Sequence, residues 1–152
     1  MLPFRRIVCP LDFSEPSQKA LQAGIEIAVQ FRAELVFVHV IAPAAPGIPA
    51  DPAYAFAGSE EYEKAVRTKA EEQLTLAAHD LPEGLQCRKV IATGDAADEI
   101  VRVAKDEAAD LVVIATHGLT GWRHLVFGSV AEKIIRLSER PVLVVPVHEP
   151  KE

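Results

Sequence analysis

Two hydrophobic periods alternate along the chain. Short, continuous apolar runs stand within 5–11 (Ile7, Val8, Cys9, Pro10, Leu11), at 35–41, at 111–115 and at 142–145, the last between Pro141 and Pro146. Runs of that length suit strands buried on both faces. The stretch 86–93 differs, with Arg88, Val90 and Ala92 on one face and Cys87, Lys89 and Ile91 on the other, which predicts a less buried strand near a sheet edge. Between these runs the spacing becomes helical. Ser14 is a good N-cap before Glu15 and Pro16, and Ala20, Leu21, Gly24, Ile25, Ala28 and Phe31 form one stripe. A second helix is expected over 59–80 with Tyr62, Val66, Ala70, Leu74 and Ala77 inward, and a third after Asp95 with Ile100, Val101, Ala104 and Ala108 inward. The fourth is expected over 129–138.

Strand then helix, four times over with a closing strand, requires a mainly parallel sheet, because each crossover helix returns the next strand in the same direction. The expectation is a doubly wound, five-stranded α/β fold with helices on both faces, one domain over 1–152. Within it, 42–58 is a long loop whose Pro43, Pro46, Pro49 and Pro52 exclude regular structure. In such folds ligands sit beyond the C-terminal strand ends. Here those ends carry 10–14, the Pro/Ala-rich loop, Gly94 and the 115–129 loop.

Composition narrows the classes. With 49% apolar and 25% charged residues the chain is of globular type, and no apolar run is long enough to span a bilayer. The first residues lack the charge-then-apolar order of a secretory leader, so a cytoplasmic location is expected. A formal net charge of -6 argues against general nucleic-acid binding. Cys9 and Cys87 have no Cys-x-x-Cys or His spacing around them and read as small core residues. His39, alone in an apolar run, reads as a satisfied core residue. His39, His79, His117, His124 and His148 form no recognised metal spacing, and Ser14, Ser129 and Asp12 define no nucleophile with its base.

Candidate chemistry concentrates after the fourth strand. A Gly-containing loop returns through Gly128 and Ser129 to open a helix, and a helix N-terminus offers unpaired N–H groups and a favourable dipole to an anion. A phosphate cradle is one reading; Ser129-x-x-Glu132 as a capping box is the other. The P-loop pattern is absent, the first strand-to-helix turn has no glycine, and Ala92-Thr93-Gly94 stands where a receiver domain would carry its phospho-acceptor Asp.

Ala115-x-x-Gly118, nine residues, then Gly128-Ser129 resembles the universal stress protein family, whose nucleotide-binding members carry Gly-x-x-Gly, nine residues, then Gly-Ser or Gly-Thr. The resemblance extends over almost the whole chain through 7–14, 37–40 and 141–145. It implies strand order 3-2-1-4-5 and ATP as ligand, with Mg2+ as its companion. It also implies that Asp12, beside Pro10 and Leu11, meets the ribose or a metal-associated phosphate, that Val40 and neighbouring backbone frame adenine, and that Gly118, Gly128, Ser129 and Val130 surround the phosphates. Ala115 replaces the first motif glycine and can serve where its backbone angles are ordinary. Asp12 has a bland alternative as a local turn or cap. Gly121, Trp122, Arg123, His124 and Phe127, with His117, read as loop-shaping, packing or solubility residues. In the implied order the final strand is an apolar edge, which predicts a homodimer through Val142 to Val145.

The function so implied is an adenine-nucleotide-binding stress protein whose ATP state alters the surface shown to a protein partner. Two alternatives stand beside it: a nucleotide-independent interaction protein of the same fold, and a slow ATP hydrolase.

Overall fold

The computed structural model describes residues 2–43, 59–117 and 128–146. Its elements follow in the order β1 (Arg6–Pro10), α1 (Glu15–Phe31), β2 (Glu34–Ile41), α2 (Glu60–His79), β3 (Cys87–Thr93), α3 (Ala96–Asp106), β4 (Leu111–Ala115), α4 (Ser129–Leu137) and β5 (Val142–Val145). All neighbouring strands pair in parallel, in the order β3-β2-β1-β4-β5. This is the doubly wound sheet expected from the alternation, with the strand order that the resemblance implied.

Side-chain alternation divides the core in two. Ile7, Cys9, Leu35, Phe37, Leu111 and Val113 face α1 and the Leu74 side of α2, whereas Val8, Val36, Val38, Val112 and Ile114 face α3 and α4. Burial pushes the Cys9 thiol up to about 12, and burial likewise pushes that of Cys87 to about 11. Neither is a nucleophile near neutral pH. Cys87 is only half-buried, because β3 is the sheet edge, and so departs from the expected core placement.

Helix starts follow the cap residues. Ser14, Ser59 and Asp95 each accept the N–H of the residue three positions on. Two predicted stripes need correction. Tyr62 is exposed, at the open first turn of α2, and Ala108 lies beyond the end of α3 in a left-handed turn with φ 50, so that Val103 takes the inward position.

At the N-terminal end of the sheet an ion network fastens three strands and α3. Glu34 meets Arg6 at 2.8 Å and Arg88 at 3.4 Å, and Arg88 also reaches Glu107 at 3.0 Å. The Asp110 carboxylate accepts the N–H groups of Arg5 and Arg6 at 2.7 and 2.9 Å. The opposite, C-terminal end is left for other work.

Candidate functional site

A cavity of about 550 Å3 opens at the C-terminal strand ends, where the order reverses between β1 and β4. Val38, Ile100, Ile114 and Ile134 give it an apolar floor and walls. Pro10, Leu11, Asp12, Val40, Ala115, Gly128, Ser129 and Val130 all line it, and Gly118 lies outside the described residues, as do 44–58 and the loop residues 119–127.

One side is a fork between β1 and β2. The Leu11 N–H donates to the Val38 carbonyl at 2.8 Å, so the even-numbered residues of β2 turn their backbone groups towards β1. The Gly94 N–H donates to the Ile41 carbonyl at 3.0 Å, so the odd-numbered ones serve β3. Pairing with β1 stops at Pro10 and Val38. Val40, the next even residue, therefore presents its N–H and C=O side by side past the end of β1, where it lines the cavity.

The other side is the start of α4. The Gly128 N–H donates to the Thr116 carbonyl at 2.6 Å, which seats the helix start against the end of β4. Gly128, not Ser129, is the N-cap, and as a glycine it brings no side-chain cap of its own. Ser129 is thus the first helical residue, and the capping box with Glu132 is not formed: the register is one residue too late for it. A glycine cap costs only a few tenths of a kcal/mol, about, relative to Ser or Asp, and leaves the first-turn N–H groups to an anion. The glycine at 128 suits a close approach rather than a special backbone angle, since φ is an ordinary -70 but a Cβ there would stand 3.1 Å from the Thr116 carbonyl oxygen, a tight contact with backbone.

Asp12 is engaged locally: its Oδ1 accepts the Ser14 N–H at 3.0 Å and the Ser14 hydroxyl. Such an Asx turn orients the carboxylate at the cavity mouth. Phe13 follows in a left-handed conformation, φ 64, with its ring against His39 at a centroid distance of 4.7 Å. His39 is half-buried, and its Nδ1–H donates to the Leu11 carbonyl at 2.7 Å, the satisfied state expected of it. His117 Nδ1 lies 3.0 Å from the hydroxyl of buried Thr116.

Ala115 keeps extended backbone angles in β4, and its methyl packs into the α1-side core. The condition for alanine at this motif position is met. Thr116 and the apolar floor were not singled out in the sequence, and His39 was read there as a core residue rather than as a neighbour of a site; Val38 and Ile114 carry a signal only once alternation along two parallel strands is combined with their register. Among the described residues no group of three or more His, Cys, Asp or Glu is placed to hold a metal ion, and no helix is long and apolar enough to cross a membrane.

Comparison with known proteins places this geometry. A family model described as "Universal stress protein family" matches residues 3–146. Universal stress protein MJ0531 of Methanocaldococcus jannaschii is 33% identical over 150 residues, covering 93% of this chain and 82% of that protein. The solved structure of MJ0577 superposes with a TM-score of 0.73 at 27% identity, covering 95% of this chain and 97% of the other. A universal stress protein solved in complex with cAMP superposes at 0.65 with 22% identity, covering 94% and 97%. A family match over residues 3–146, with a relative 33% identical along nearly the whole chain and a fold that superposes on solved structures, makes this chain a member of the universal stress protein family.

Proposed function

We propose that the cavity binds an adenine nucleotide, ATP with Mg2+ as its companion, and that the protein acts as a nucleotide-dependent regulatory or protective factor in the cytoplasm. The observation that carries this reading is the convergence on one cavity of the Val40 backbone N–H and C=O, left unpaired by β1 among the described residues, and the glycine-capped start of α4. Adenine offers an adjacent amine donor and ring-nitrogen acceptor, which match a C=O beside an N–H. First-turn N–H groups suit phosphate without requiring a basic protein. Asp12 is suited to ribose hydroxyls or to a phosphate-bound cation. The cAMP complex of a protein with this fold is in keeping with the ligand class.

We also infer a homodimer through β5, an edge strand on which Leu143 is 38% exposed. Bound nucleotide shifts the surface shown to a protein partner only if it favours one conformation over another.

Extraction of ligand from the purified protein, followed by ATP calorimetry with and without Mg2+, tests the reading. Absence of both endogenous nucleotide and saturable ATP binding would sink it. Ser129→Glu is the informative variant. A carboxylate in the first turn favours the helix by about 0.3–1 kcal/mol, whereas two like charges about 4 Å apart at an effective dielectric near 20 repel by about 4 kcal/mol. ATP affinity should fall at least about tenfold while the melting temperature holds or rises. Unchanged ATP affinity in this variant would reject the phosphate end of the site.

A further inference from the structure

A parallel ladder continued by one more step would send the Val40 N–H to the Leu11 carbonyl. That bond is not made: pairing between β1 and β2 ends at Pro10 and Val38, although the Leu11 N–H still donates to Val38. The Leu11 carbonyl instead accepts Nδ1–H of His39, from the residue next to Val40, at 2.7 Å. A carbonyl cannot donate, so Nδ1 carries the proton in this contact. The chain then turns away through left-handed Phe13, whose ring covers that of His39.

We infer that His39 is a positioning residue that holds the Val40 backbone edge open: by capturing the Leu11 carbonyl, it keeps β1 from zipping one step further along β2. This deepens the adenine-nucleotide reading and rests on it only for the identity of the ligand. The imidazole need not touch the base. Its effect is to preserve a donor and an acceptor that the sheet would otherwise consume, so base selectivity follows from a side chain directed at a neighbouring strand.

The side-chain amide of Asn places an N–H donor near the position of imidazole Nδ1, whereas Leu fills similar space without a donor. The unaltered protein, His39→Leu and His39→Asn are compared by two measurements: amide hydrogen exchange at Val40 without ligand, and calorimetry with ATP and with GTP. In the Leu variant the released carbonyl is expected to pair with the Val40 N–H. Its exchange should slow by about tenfold, the scale of one protected backbone bond, while ATP affinity drops about tenfold and the ATP-to-GTP preference collapses towards unity. The Asn variant should restore fast exchange and preference together, a rescue that loss of packing alone would not produce. Val40 exchange in the Leu variant equal to that of the unaltered protein, or an Asn variant that behaves like Leu, would overturn the inference. Failure of the unaltered protein to bind ATP would defeat the nucleotide reading separately, because the exchange measurement needs no ligand and decides the role of His39 by itself.

Discussion

Gly24 sits on α1 directly over β1, and a methyl group built on it would lie 2.5 Å from the Cys9 sulfur. Alanine favours a helix interior over glycine by about 0.5–1 kcal/mol, but overpacking a closed core costs about 1–3 kcal/mol. The second effect wins, so Gly24→Ala should destabilise the protein. In a Cys9→Ala background the same substitution should be neutral or stabilising, because the sulfur is gone. Denaturant titrations of the four proteins decide this, and an equal penalty in both backgrounds would refute the contact as its cause. Such a constraint is invisible in the sequence, where Gly24 is simply one member of a helical stripe. The site shows the same limit. Ser129 and Glu132 carry a capping signature, yet the hydrogen bond from Gly128 to Thr116 sets the helix start one residue earlier, and only that long-range contact reveals it. The backbone angles on which alanine at 115 depends are likewise set by its place in the strand ladder, where Ala115 pairs with Val145.

Elements were legible wherever a period was clean. Three unbroken apolar runs became the central strands β2, β1 and β4, whereas the fourth became edge strand β5, half-buried rather than buried on both faces. The mixed run became edge strand β3, and Ser14 and Asp95 marked helix starts through the chemistry of their side-chain oxygens, while Ser59, read as the first residue of its helix, is its cap. The ends of helices were harder to see, as at Ala108, because apolar spacing continues past the residue where the backbone turns left-handed. The contacts that lock elements together were also out of reach, since they join residues far apart in sequence. Lys133 of α4 meets Asp95, the N-cap of α3, and Asp98 in its first turn, each at 2.9 Å, and the hydrogen bond to Asp98 first, then that to Asp95, raises its pKa. Glu34 joins β2 to β1 and β3 through two arginines, with side-chain exposure of 20% against 30% for Arg6 and 51% for Arg88. Glu34→Ala leaves both guanidinium groups without that partner and should cost about 1 kcal/mol, towards the low end for charged hydrogen bonds because water screens the pair. Part of that loss should vanish at high salt. A melting temperature unchanged at low salt would show the network to be energetically idle.

At the scale of the whole molecule, the ion network and the cavity occupy opposite ends of one sheet, so the fold can be stiffened at one end and opened at the other without conflict. In the proposed dimer the β5 edge is the joining surface. Leu143→Lys puts a charge on that edge and should shift sedimentation from dimer to monomer with little change in the melt of the monomeric fold. An unaltered protein that sediments as a monomer at high concentration would dismiss the dimer outright. The sheet order itself follows from alternation and right-handed crossovers only as far as the fold class; the position of each strand came from resemblance, because periodicity does not say which strand lies beside which. The early end of β1 has a practical corollary. On the proposed reading, a flat heteroaromatic fragment that pairs an amine with a ring nitrogen should dock beside Val40, whereas one lacking either group should not, so a small fragment screen sorted by that single feature should return its hits on one side of the division.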